Sequence, residues 1–231
     1  MEIFLIGGGR EAQVAHEGFV RACGGGSIVV FALDDPDLDV ARWEGTLKDA
    51  GATEVTVVPV SPARPPLAAD LSGTAGVYVA GGLTPAYRET LVDAGTEWLD
   101  AARTAGLVYC GFSAGSAIAP ERALVGGWQT AYGGRTLDVC DEELGEDLQN
   151  LTVLPGLGLV PFMVDVHAAQ WGTLYRLVHA VLATGLEGWA IDENTALTFT
   201  PDGTPTLHGP GAATHVRPSG PGSTTITVHT N

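Results

Sequence analysis

Five short apolar runs in the first half of this chain, most of them closed by glycine or aspartate, limit the folds open to it. They are Ile3–Ile6 before Gly7-Gly8-Gly9, Ser27–Leu33 before Asp34-Asp35-Pro36, Glu54–Val60, Gly76–Ala80 before Gly81-Gly82, and Leu107–Cys110 before Gly111. The runs are continuous rather than alternating, so each predicts a strand buried on both faces, which is the condition of a parallel sheet. Helical patterns lie between them, over 11–22, over 37–50 with Gly51 as the stop, and from a Thr84 cap with Pro85 at the first helical position to about Ala105. Strand and helix in alternation predict an α/β, doubly wound, mostly parallel sheet with flanking helices.

The second half is less regular. Residues 121–150 read as irregular and acidic, Gly156–Val160 as a strand, and 170–184 as a helix. From Gly188 the pattern becomes short β segments, Trp189–Asp192, Ala196–Thr200, Pro205–Leu207, Ala213–Val216 and Thr224–His229, with turns such as Pro201-Asp202-Gly203 between them. These predict a C-terminal antiparallel β extension. With no internal repeat and no linker composition, residues 1–231 read as one α/β domain.

In such a sheet the loops at the carboxyl ends of the strands build the site. That rule gathers Gly7–Gly9, Asp34, Gly81-Gly82 and the stretch Gly111-Phe112-Ser113-Ala114-Gly115 along one edge. The last is a G-x-S-x-G turn between a strand and a helix. A serine at its apex takes a strained backbone, presents Oγ outward, and needs small neighbours so that strand and helix can approach. The N–H of Ala114 then sits at a helix N-terminus, where a developing oxyanion is favoured.

A serine nucleophile needs a base and a group that orients it. Of the six histidines, His16 and His179 lie within helical patterns, and His208, His215 and His229 lie in the C-terminal β region. His167 ends the loop Pro161–His167 before a helix, where a base serving a strand-end serine belongs. The orienting carboxylate is Asp192 or Glu193, after Trp189-Ala190-Ile191, or Asp138 or Asp141 in the irregular segment. Strand alternation puts Asp192 and Glu193 on opposite sides of the chain, so only one of them faces the imidazole. The residues alone do not choose. A rival reading is a dinucleotide site, with Gly7-x-Gly9-x-x-Ala12 on the pyrophosphate and Asp34 on the ribose.

The net charge of −16, from 11 basic and 27 acidic residues, argues against nucleic acid or an anionic membrane as partner. No run approaches the about 18 apolar residues of a membrane helix. The N-terminus reads as a first strand, not a signal peptide. Three cysteines without C-x-x-C spacing fit a reduced, cytoplasmic protein. No convincing set of metal ligands is present.

Several short motifs together resemble the serine peptidase family of peptidase E (α-aspartyl dipeptidase) and cyanophycinase. They are Ala80-Gly81-Gly82-Leu83-Thr84, the Gly111–Gly115 turn, Gly156-Leu157-Gly158-Leu159, Asp165-Val166-His167, and Gly188 to Leu197. The resemblance implies a fold like that of class I glutamine amidotransferases and flavodoxin, and hydrolysis of small peptides or amides without metal or organic cofactor. It implies Ser113 as nucleophile, His167 as base, and the Gly82 and Ala114 N–H groups as the oxyanion hole. The peptidase E prototype takes its third member soon after the nucleophile, where this chain has Gln129-Thr130; the cyanophycinase branch uses the second acid of an Asp-Glu pair, here Glu193.

The resemblance therefore implies a Ser113–His167–Glu193 triad. Cyanophycinases carry an arginine-rich segment after the histidine, but Gln170–Arg176 holds a single arginine, which argues against cyanophycin. Arg176 is the favoured holder of a substrate carboxylate, with Arg88 and Arg135 the other candidates. The expected activity is hydrolysis of dipeptides with N-terminal aspartate. The alternatives are a cyanophycinase-like or isoaspartyl peptidase acting on β-linked aspartate, or a dinucleotide-binding or non-catalytic amidotransferase-like binding protein. The expected partner is a small peptide substrate, with a homodimer left open.

Overall fold

The computed structural model describes residues 1–200 and 203–231, so part of the turn predicted at Pro201-Asp202-Gly203 lies outside the described residues. The first half runs β1 (Ile3–Ile6), α1 (Gln13–Ala22), β2 (Ile28–Leu33), α2 (Val40–Asp49), β3 (Val55–Val60), β4 (Gly76–Val79), α3 (Thr84–Arg88), α4 (Glu97–Thr104), β5 (Val108–Phe112) and α5 (Ala114–Ile118). The second half runs β6 (Arg122–Gly126), β7 (Gln129–Tyr132), β8 (Arg135–Asp138), β9 (Thr152–Pro155), β10 (Met163–Val166), α6 (Ala168–Trp171), α7 (Leu174–Thr184), β11 (Gly188–Ile191), β12 (Ala196–Phe199), β13 (Pro205–His208), β14 (Ala213–Gly220) and β15 (Ser223–His229).

The architecture is α/β. The main sheet has the order β13-β12-β1-β5-β4-β2-β3. Its five strands from β1 to β3 are all parallel, and β12 and β13 add to its edge antiparallel. The continuous apolar runs have the cause expected of them. Val29, Val30, Phe31, Val77, Tyr78 and Val79 are fully buried, with helices on both sides. Trp98 of α4 meets the edge of Phe31 at 5.3 Å on one face, while Phe19 of α1 and Trp43 of α2 lie 6.0 and 5.7 Å from Tyr78 on the other. Each such ring contributes about 1.5–3 kcal/mol by leaving water. The parallel register aligns the carboxyl ends of β1, β5, β4 and β2, and the loops that follow form one rim.

Several boundaries differ from the sequence-based expectation. The helix expected over 84–105 is broken into α3, a π-helical turn over Glu89–Asp93, and α4. Thr84 is its first helical residue, after Leu83 at the cap. The capping is done from a distance, since the Thr84 N–H donates to the Glu146 carboxylate at 2.9 Å. Residues 121–150 contain strands β6, β7 and β8, and β7–β8 is a hairpin around Gly133-Gly134. The strand expected over 156–160 is displaced to β9, which pairs with β6. Residues 156–159 instead donate to Glu121, Ile118, Pro120 and Ala119 carbonyls as a packed loop.

The helix over 170–184 is divided at Gly172, whose φ of 70° admits few other residues. The C-terminal extension is shared between two sheets. β12 and β13 join the main one, while β11, β14 and β15 join β10 in a second sheet of order β10-β11-β14-β15. The second sheet matters for the site, because parallel β10 and β11 end side by side and deliver residues 167 and 192–194 to the same rim.

Candidate active site

Ser113 follows β5 and caps α5 with φ 51° and ψ −111°. That conformation is unfavourable for an L-residue and persists only where its surroundings hold it. The clamps are visible. The Ser113 N–H donates to the Ile6 carbonyl at 3.0 Å, Ser116 Oγ donates to the Ile6 and Gly111 carbonyls at 2.8 and 2.7 Å, and Tyr109 Oη donates to the Gly115 carbonyl at 2.7 Å. A methyl group on Gly111 would meet Gly115 and Ser116 backbone at 2.5–2.6 Å, and one on Gly115 would meet the Val79 carbonyl oxygen at 2.3 Å. The small residues are there so that β5, β4 and α5 can touch.

His167 follows β10 in a left-handed conformation, φ 56° and ψ 35°, with its N–H donating to the Gly7 carbonyl at 2.9 Å. Its Nε2 lies 2.8 Å from Ser113 Oγ, and its Nδ1 lies 2.7 Å from Glu193 Oε1. Serine, imidazole and carboxylate therefore form one hydrogen-bonded chain. Trp171, one turn along α6, stacks on the imidazole with ring centres 3.7 Å apart and planes 6° from parallel. Burial pushes the His167 imidazole below its ordinary range, and the Glu193 hydrogen bond and charge oppose that. Burial thus favours the neutral ring, the form able to accept a proton from Ser113.

Consecutive residues after β11 divide the work. The Asp192 carboxylate accepts from the Ala169 and Ala212 N–H groups at 3.1 and 2.9 Å, tying α6 to the residue just ahead of β14. Glu193 points the other way, to the imidazole, with its own N–H held by Gln170 Oε1 at 2.9 Å. Asn194 donates its N–H to the Gly8 carbonyl and accepts the Glu11 N–H at its side chain. Asp138 accepts from Gln129, and Asp141 caps the 3₁₀ turn Glu142–Leu144, so neither reaches the imidazole. The remaining histidines are committed elsewhere. His16 bonds the Tyr78 hydroxyl, His179 lies among Tyr132 and Tyr175, His208 bonds Thr198, His215 bonds Glu187, and His229 lies against Trp189.

The glycine run after β1 has a local explanation. Gly8 and Gly9 have φ of 93° and 97°, and a methyl group on them would strike the His167 ring at 2.1 Å and the Asn194 side chain at 2.2 Å. The space in front of these glycines is filled by the His167 imidazole and by Asn194.

Gly82 follows β4 on the cleft wall, and Ala114 opens α5. Among the described residues neither N–H has an acceptor. The cleft of about 470 Å³ is lined by Gly81-Gly82-Leu83, Ser113, His167 and Trp171, and also by Arg42, Trp43, Glu143, Glu146 and Asp147. Burial pushes the Glu146 carboxyl up, with its bond to the Thr84 N–H opposing.

The expectation for Arg176 requires correction. It is 5% exposed and its fork grips Asp165, Nε to Oδ2 at 3.0 Å and Nη2 to Oδ1 at 2.7 Å, while Nη1 donates to the Leu144 carbonyl at 2.7 Å. A guanidinium so committed ties the 140–147 segment to β10 and has no fork left for a substrate carboxylate. Arg88 is bound to Asp93 and the Pro155 carbonyl, and Arg135 sits on the β7–β8 hairpin.

Two solved peptidases share this fold. A peptidase from an acI-B1 actinobacterium superposes with a TM-score of 0.66 at 13% identity, over 98% of this chain and 96% of that one. A provisionally assigned peptidase E of Listeria monocytogenes EGD-e superposes with a TM-score of 0.56 at 18% identity, over 91% of this chain and 98% of that one. No family model matches the sequence, and no curated protein matches it significantly. Among the described residues no helix is long and apolar enough to cross a membrane, and no group of three or more His, Cys, Asp or Glu is arranged to hold a metal ion.

Sequence reasoning missed Trp171, Glu146 and Arg42. Trp171 had a signal, four residues after His167 at the spacing of one helical turn. Arg42 had one as well, in the first turn of the helix after β2, on the same strand-end rim as Ser113. Glu146 had none, because its approach to Thr84 spans 62 residues of chain.

Proposed function

We propose that this chain is a serine peptidase of short peptides, with dipeptides carrying an N-terminal aspartate as first candidates, acting through Ser113, His167 and Glu193. The reading rests on one observation, the continuous chain from Ser113 Oγ through the imidazole to Glu193 Oε1 at 2.8 and 2.7 Å, on a turn held in a strained conformation. The peptidase fold of the structural neighbours supports the reaction class.

In this reading Ser113 Oγ attacks the scissile carbonyl carbon as its proton passes to His167 Nε2. The Gly82 and Ala114 N–H groups receive the oxyanion, where one such donor contributes about 3–4 kcal/mol to the transition state. His167 then gives its proton to the leaving amine as the C–N bond breaks. Water attacks the acyl-enzyme with His167 again as base, and the acid is released. Glu193 stays ionised, orients the ring and stabilises the imidazolium.

The test is a panel of Asp-Leu, Glu-Leu, β-Asp-Leu, aspartyl amides and neutral dipeptides, followed by amine release. Hydrolysis of at least one acidic dipeptide, lost in Ser113→Ala with unchanged melting behaviour, is the expected result. Full activity in Ser113→Ala sinks the reading. Preference for β-Asp-Leu over Asp-Leu moves the substrate to the isoaspartyl class.

A further inference from the structure

With Arg176 locked to Asp165, the cleft needs another group to recognise an acidic substrate. Two cations stand there. Arg42 lines the Ser113 cleft and two hollows that adjoin it, of about 540 and 390 Å³, and Arg10 lines both of these hollows with it. Both side chains are exposed. No carboxylate among the described residues lies within ion-pair distance of either. Arg21, Arg64, Arg122, Arg135 and Arg217 also have no ion pair among the described residues, so what distinguishes Arg10 and Arg42 is their place in the hollows beside Ser113. Glu11 and Glu193 border the same hollow, but Glu193 is committed to His167.

The position of Arg42 is built. Its guanidinium lies 4.7 Å over the Trp43 ring, Trp43 is buried, and that ring meets the edge of Phe112 at 5.5 Å. Phe112 immediately precedes Ser113. A stacked guanidinium keeps its planar fork free while losing rotational freedom, which suits two-pronged carboxylate recognition. The same cleft is also lined by Glu143, Glu146 and Asp147, which repel a carboxylate, so within it Arg42 is the lining group that attracts one. The charge of Arg42 is felt locally, since burial and then Arg42 push the His16 imidazole down to about 4.

We propose that Arg42, with Arg10 beside it, forms the carboxylate-binding subsite of the Ser113 cleft, and that the substrates are short peptides or amides bearing a carboxylate that reaches this side. The reading of Ser113 as nucleophile says what is cleaved, and the subsite says what is held. The carboxylate has two sources, the side chain of an N-terminal aspartate or the peptide's free C-terminus.

The experiment is calorimetric binding to the full chain carrying Ser113→Ala, which cannot turn the ligand over. The probes are Asp-Leu, Asp-Leu-amide, Ala-Leu and Ala-Leu-amide. Adding Arg42→Gln is expected to weaken Asp-Leu about ten- to hundredfold, the loss of one charge-assisted bidentate contact. Arg42→Lys restores part of it, and Arg217→Gln, which removes the same charge outside the cleft, changes nothing. If Asp-Leu-amide keeps the Arg42 dependence, the side-chain carboxylate is the ligand; if Ala-Leu keeps it, the C-terminus is.

Ala-Leu-amide is expected to be indifferent to Arg42. Equal binding of Asp-Leu with and without Arg42, or no binding of any acidic probe, overturns the subsite. Either result can occur while Ser113→Ala still abolishes hydrolysis, so the subsite and the nucleophile fail separately.

Discussion

Glu193→Gln separates the role of Glu193 from that of its neighbour. The change keeps the size of the side chain and leaves the backbone contact to Gln170 in place. It removes a charge 2.7 Å from Nδ1, in a pair whose side chains are 8% and 22% exposed. With charge centres about 4 Å apart and an effective dielectric of about 20, the lost attraction on the imidazolium is about 4 kcal/mol. At 1.36 kcal/mol per decade that is a fall of roughly a thousandfold in kcat. Asp192→Asn acts elsewhere, loosening two N–H contacts that tie α6 to residue 212, and is expected to cost about 1–3 kcal/mol of stability with kcat within a few-fold of normal. The assay is steady-state hydrolysis of the best panel dipeptide, with urea unfolding of each variant. A Glu193→Gln enzyme with a tenth or more of normal kcat, beside a dead but well-folded Asp192→Asn, refutes the assignment.

Three further outcomes can be checked with the same proteins. Ser113→Gly is expected to be inactive yet more stable than Ser113→Ala by about 1–2 kcal/mol, because glycine relieves the positive φ that alanine must also bear; equal stabilities in urea would remove the strain argument. Because burial holds the His167 imidazole below 6.5, kcat/KM is expected to stay level from neutral pH to below 6.5 and to fall only as the ring gains its proton. Trp171→Leu thins the cover over the imidazole and is expected to move that acid limb upward, and in the unaltered protein an acid limb at or above 6.5 contradicts the assignment. Arg176→Met leaves Asp165 charged, buried and unpaired and is expected to cost about 3–5 kcal/mol in unfolding experiments; a stable variant altered only in KM would return Arg176 to the substrate.

The parallel core was legible because its strands are continuous apolar runs of a few residues, a pattern that only two-sided burial explains. The serine turn was legible because a serine between small residues at a strand end, before a helix, leaves few alternatives for the local backbone. Asp192 and Glu193 could be placed on opposite sides by alternation, but the choice between them depends on β10 and β11 ending together, a contact between segments far apart in sequence. The 121–150 segment was misread because its strands are only four or five residues long and β7 and β8 have no buried face, although Gly133-Gly134 marked a hairpin. Arg176 was misread because a lone arginine after the histidine looks equally suited to a substrate and to Asp165, eleven residues earlier; only burial tells them apart.

The most direct test of the central claim is covalent. The intact protein is treated with a fluorophosphonate, and the adduct is mapped by mass spectrometry. The account predicts one adduct per chain, on Ser113, absent in Ser113→Ala and slowed at least a hundredfold in His167→Ala, as expected when the nucleophile loses its base. A protein that stays unlabelled, or that carries its adduct on another residue with Ser113 untouched, contradicts it.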